Sequence, residues 1–237
     1  MLLLVGCSTE KAPSRQATVR EVEQTPAPPR QNIPPLAEKP LAAPEKFAGK
    51  PGEWQSLFDG NTLKGWKITD FAGHGDVRVE NGAIILDQGV MTGVTWTSAI
   101  PKMNYEIALD AKRVDGSDFF CGLTFPVGTN PCSFIVGGWG GGVVGISSLD
   151  GEDAANNETT KVAEFEKGRW YAVKVRVEPK KIEAWIDNEK YVNVDTTDRR
   201  ISIRGEVELS RPLGIASWST TAALRNIRVR ELSPPSQ

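Results

Sequence analysis

Histidine is almost missing from this 237-residue chain; His74 is the only one. That excludes zinc sites built on several histidines. No G-x-S-x-G elbow occurs, and a Ser-His-Asp triad would have only His74 to draw on. His74 sits in Ala72-Gly73-His74-Gly75-Asp76 and reads as a loop residue, because a general-base role would need a partner such as Asp70 or Asp76. Neither G-x-x-x-x-G-K-[ST] nor a G-x-G-x-x-G before a helix is present, so no phosphate loop is expected. No apolar run reaches the ~18 residues of a complete transmembrane helix. There is also no block of basic residues. With 28 Lys+Arg against 30 Asp+Glu the net charge is −2, which argues against a nucleic-acid partner.

Cysteine is scarce too, with three in all. Cys7 follows Leu4-Val5-Gly6, the pattern of a bacterial lipobox: an apolar residue, small residues, then the cysteine that takes lipid. The alternative is a chance Gly-Cys after leucines. On the lipobox reading residues 1–7 are the remnant of a lipoprotein signal, with Cys7 the lipidated residue. The protein is then exported and held at the bacterial cell envelope, in the periplasm or at the surface. It meets the membrane through that lipid only. The basic and most of the apolar parts of a signal are missing, so the true start is expected upstream of Met1. Residues 8–46 hold 8 of the 16 prolines and no aromatic side chain. With so little to bury, they are expected to form a disordered tether, and the folded domain to span 47–237. Cys121 and Cys132 remain as an even pair. A disulfide between them would close a 12-residue loop and stabilise by about 3 kcal/mol. Two buried free thiols are the alternative.

What the chain does have is tryptophan, all seven after residue 50, and turn chemistry. Val77-Arg78-Val79 and Ala83 to Leu86 flank Glu80-Asn81-Gly82, a hairpin signal. Apolar residues alternate at Tyr105, Ile107, Leu109 and Ala111, at Tyr171 to Val177, and at Ile182 to Ile186. Ile215 to Trp218 and Leu224 to Val229 read as closing strands. No long stripe at helical spacing exists. Many short strands punctuated by Gly, Asn and Asp predict an all-β sandwich.

The run WQSLFDGNTLKGWK, Trp54 to Lys67, carries L-F-D-G-x-T-L-x-G-W around the turn Asp59-Gly60-Asn61. It resembles the opening segment of the 3-keto-disaccharide hydrolase domain family, a likeness that runs from about Trp54 to Leu232. Gly168 to Val192 looks like the strand pair of laminin-G-like and concanavalin-like jelly rolls. The resemblance implies a concanavalin-like jelly-roll β-sandwich of two antiparallel sheets, with the last strand pairing near the first. It also implies a carbohydrate ligand and cleavage of 3-keto-glycosides: a base removes the proton at C2, the C1 substituent leaves, and water adds.

Chemistry is expected between Asp118 and Thr160. Six glycines lie between Gly137 and Gly145 around Trp139. Either a ligand approaches the backbone there, with Trp139 as a stacking platform, or the strands are bulged and strongly twisted. Asp150, Asp153, Asn157 and Glu158 form an oxygen-rich stretch. They could hydrogen-bond sugar hydroxyls or hold Ca²⁺; no other cofactor is expected. Glu158 or Asp118 is the expected base. Trp96 and Trp218, flanked by polar residues, are candidate sugar platforms, while Trp170 and Trp185 could equally pack the core. The competing reading of the whole is a binding module without catalysis, since one fold serves both.

Overall fold

The computed structural model describes residues 47–233. The lipobox, Cys7 and the tether 8–46 lie outside the described residues. Fifteen strands follow in chain order. The first eight are β1 (Gln55–Ser56), β2 (Trp66–Ile68), β3 (Val77–Glu80), β4 (Ala83–Leu86), β5 (Met91–Trp96), β6 (Tyr105–Gly116), β7 (Cys121–Val127) and β8 (Asn130–Gly138). Then come β9 (Val143–Ser147), β10 (Lys161–Val162), β11 (Trp170–Glu178), β12 (Lys181–Ile186) and β13 (Glu189–Asp195). A 3-10 helix, Gly205–Ser210, precedes β14 (Gly214–Trp218) and β15 (Thr220–Glu231).

The strands form two antiparallel sheets, as the jelly-roll expectation required. One runs β13-β12-β11-β6-β15-β4-β3, with β1 also on β15; the other runs β10-β9-β8-β7-β14-β5-β2. The first and last strands do meet, Gln55 opposite Val229. Alternation decides the faces. Ile107 and Leu109, Val173 and Val175, and Phe134 and Val136 all enter the shared core. Tyr105 spans the two sheets, its hydroxyl donating to the Pro126 carbonyl at 2.6 Å.

The Asp59 turn explains its motif. The Asp59 carboxylate accepts from the Thr62 hydroxyl and from the amides of Asn61 and Thr62. The Thr62 bond first, then the amides, hold its pKa at about 2. Asn81 (φ 49°) and Gly82 (φ 77°) make the predicted hairpin between β3 and β4, where only residues tolerant of the left-handed region fit.

Cys121 and Cys132 are both free and buried, so the disulfide expectation is corrected. They lie on adjacent strands but out of register, Cys121 opposite Val136 and Cys132 opposite Phe125. Four rungs separate them, ~13 Å along a strand, far beyond disulfide reach. Burial pushes the Cys121 thiol up to about 12. Dithiothreitol should therefore leave the thermal midpoint unchanged. A fall of ~5–10 °C on reduction would instead reveal a bond.

Candidate functional site

The outer face of the seven-stranded sheet is not polar, as a solvated sheet face would be. It carries a second apolar cluster of Phe71, Met91, Val207 and Ala216, with Phe119 and Trp218 packed on it. The 3-10 helix brings Val207 over this face. Its last residue rests on Gly214, where an added Cβ would stand 2.6 Å from the Ser210 carbonyl. Beside the cluster opens a groove of about 230 Å³, somewhat smaller than the usual ligand pocket. Met91, Phe119, Ile135, Trp139 and Trp218 supply its apolar walls, and Ser133, Ser147, Asp118, Arg204 and Glu206 its polar ones.

Trp139 stands at the tip of the β8–β9 turn. Its φ is 48°, a conformation costly for a bulky side chain, and the ring is 43% exposed. The turn holds that conformation with three bonds. Gly141 and Gly142 amides donate to the Gly138 carbonyl, and the Gly140 amide donates to Asp118 Oδ2 at 2.9 Å. Asp118 Oδ1 accepts from the Phe119 amide at 2.7 Å. Asp118 thus ties the β6–β7 connection to the Trp139 turn.

The glycine cluster has two causes. One is a bulge in β8 between Val136 and Gly138. The other is Arg113, reaching over from β6. Its Nη2 donates to the carbonyls of Asp118, Gly137 and Gly141 at 3.1, 3.1 and 2.8 Å. A Cβ at Gly137 would lie 2.6 Å from that nitrogen. The close approach expected of a ligand is therefore made by a buried guanidinium. It stacks 5.1 Å from the Phe120 ring centroid.

Of the expected site residues, Asp118, Trp139 and Trp218 share the groove. Asp153 reaches it indirectly: its Oδ2 accepts from Arg204 at 2.8 Å, and Arg204 also donates to Glu206 at 2.7 Å. The Arg204 hydrogen bond holds the Glu206 carboxyl below its ordinary range. Asp150 and Glu158 stand apart from the groove, both paired with Arg199 at 2.6 and 2.8 Å. Asn157 spends its amide internally, donating to the carbonyls of Ile146, Glu152 and Asp153 and accepting from Thr159. Trp96 packs edge-on against Trp66, centroids 5.2 Å apart, over Gly65. The oxygen-rich stretch therefore faces arginines and its own backbone. Sequence reading missed Phe119, Arg204 and Glu206. The aromatic pair Phe119-Phe120 in the β6–β7 connection could have flagged Phe119, but nothing local marks Arg204.

A family model described as a 3-keto-alpha-glucoside-1,2-lyase-like domain matches residues 53–230. No curated protein matches the chain. Among solved structures, a Crh5 transglycosylase in complex with NAG aligns with a TM-score of 0.57 and 12% identity, over 81% of this chain and 89% of that one. A structure described as "Prominent members of the human gut microbiota express endo-acting O-glycanases to initiate mucin breakdown" aligns at 0.51 and 14%, over 78% and 100%. A carbohydrate binding module, CBM66 from Bacillus subtilis, aligns at 0.49 and 14%, over 70% and 96%. At these identities the two likenesses with TM-scores above 0.5 bear on fold alone.

Proposed function

Because the chain belongs to the 3-keto-alpha-glucoside-1,2-lyase-like domain family, we propose that the groove beside Trp139 binds a sugar ring of a carbohydrate ligand. The observation that carries this reading is Trp139 itself: an indole held half-exposed, in a costly backbone conformation, at the mouth of a groove with apolar and polar walls. Pyranose rings have apolar C–H faces that stack on indoles, and Trp218 with Phe119 offers a second wall. Arg204, exposed at the edge of the groove, is placed to meet hydroxyls. The lipobox pattern at Cys7 supports placing this groove at the cell envelope.

Cleavage of a 3-keto-glycoside is the second reading, supported by the family. It requires a base at the sugar C2 proton and a donor at the ketone oxygen. Of the two expected bases, only Asp118 borders the groove, and both its oxygens already accept backbone amides. Glu206 is the other groove carboxylate, and its depressed pKa makes it a weak base. These features favour binding over proton abstraction.

Two assays separate the readings. The protein is incubated with 3-keto-sucrose and 3-keto-trehalose while substrate loss is followed, and is screened on a glycan array. Binding without turnover supports the first reading; turnover lost in Glu206→Gln or Asp118→Asn supports the second. In either case Trp139→Ala should weaken carbohydrate affinity about 30-fold, the loss of ~2 kcal/mol expected of an aromatic anchor. Its thermal midpoint should barely move, because the ring packs so little. Unchanged affinity in Trp139→Ala would sink the groove assignment.

A further inference from the structure

The outer face of the eight-stranded sheet holds tryptophans that the core does not. Trp185 projects outward from β12, half-buried, and Trp54 lies on the same side beside β15. Strand register places a row across six strands: Lys190, Trp185, Lys174, Ala108, Arg228 and Ser56, each opposite the next.

Lys190 pairs with Glu183 at 2.6 Å, but the rest of the row is unbalanced. Arg228 is exposed and makes no ion pair among the described residues. Lys174 has only a 3.9 Å approach to Glu106, whose oxygens are already taken at 2.7 and 2.6 Å by Arg176 and Arg230. Trp185 holds two ammonium groups apart, Lys174 at 4.2 Å and Lys190 at 5.1 Å from its centroid. Trp54 fixes Arg228 in the same way at 5.0 Å. The result is a poorly neutralised cation on β11 and another two strands away on β15, ~10 Å apart, with the small side chain of Ala108 as a trough between Lys174 and Arg228. The chain as a whole is net negative, so this face is a local reversal.

We propose that this row binds an acidic polysaccharide carrying one carboxylate per disaccharide, laid across the strands. The cation spacing matches the length of a disaccharide. The indoles hold the cations in place before binding, which lowers the ordering cost. A membrane surface fits less well, because the indoles of Trp185 and Trp54 lie against cations instead of projecting free, and Ala108 between them is recessed. The site is independent of the groove beside Trp139, which opens on the other sheet.

The test uses the full chain and hyaluronan, with carboxyl-reduced hyaluronan and phosphatidylglycerol vesicles as comparisons, read by affinity electrophoresis and sedimentation. Hyaluronan should bind, and binding should weaken as salt screens it. The carboxyl-reduced polymer should not bind. The double variant Lys174→Gln/Arg228→Gln should lose at least ~10-fold in affinity with an unchanged thermal midpoint. Trp139→Ala, in the groove, and Lys180→Gln, in the β11–β12 turn, should bind as the unaltered protein does. Absent hyaluronan binding, equal binding of the reduced polymer, equal loss in Lys180→Gln, or capture by vesicles alone would each overturn the proposal.

Discussion

Arg113→Ala should lower stability by about 3 kcal/mol and take the carbohydrate affinity down with it. Arg113 is 6% exposed, yet no carboxylate reaches it among the described residues. Instead it binds carbonyls, and its hydrogen bonds join three segments: the Asp118 connection, the β8 bulge and the Trp139 turn. Burial pushes the guanidinium's pKa down, and the charge of Asp118 offsets part of that. Truncation leaves a cavity beside Phe120 and unpairs the carbonyls of Gly137 and Gly141. Arg113→Lys should recover little, because an ammonium cannot span the carbonyls that a planar fork reaches. Urea unfolding gives the stability change, and glycan titration gives the link to Trp139. A variant that is destabilised but keeps full affinity would show that the turn stands without Arg113.

Glu106→Ala should cost about 3 kcal/mol at pH 7, the lower end for breaking a buried ion pair. Its carboxylate is fully buried on the outer side of β6, between Arg176 and Arg230, which remain about a third exposed. That partial exposure lets the arginines find water after the change and limits the loss. Burial raises the Glu106 carboxyl, and the hydrogen bonds and charges of Arg176 and Arg230 outweigh it, leaving its pKa below the ordinary range. The sign follows. The unfolded chain binds this proton at about pH 4.3, and the folded one only lower. The stabilisation is therefore complete above that pH and is lost as pH falls through the folded pKa. Urea midpoints at pH 7 and pH 3 should differ less in Glu106→Gln than in the unaltered protein. Equal pH dependence would remove Glu106 from the acid sensitivity of the fold.

Glu106 also shows why register matters. Glu183, Arg176, Glu106 and Arg230 stand opposite one another on β12, β11, β6 and β15. A slip of one residue would set this charge ladder against apolar neighbours and turn the core face outward. The alternation along β6, β11 and β12 was legible in sequence, and so were the hairpin at Asn81-Gly82 and the turn at Asp59. The pairing partners were not, because β6 and β15 lie more than 100 residues apart.

The same division runs through the site. The run from Asp118 to Gly145 announced itself through Trp139 and its glycines, since glycine in a strand always needs a cause. Sequence alone determined the sheet fold and the family likeness and singled out the glycines around Trp139, because those rest on local periodicity, motif and composition. Only the tertiary structure decided what fills the glycine space, since Arg113 comes from the opposite sheet. It also decided which carboxylates face the groove. Asp150 and Glu158 are close to Asp153 in the chain, but Arg199 draws them away while Arg204 links Asp153 to the groove. Charge pairing across some 40 to 50 residues of chain sets those positions, and no local pattern records it.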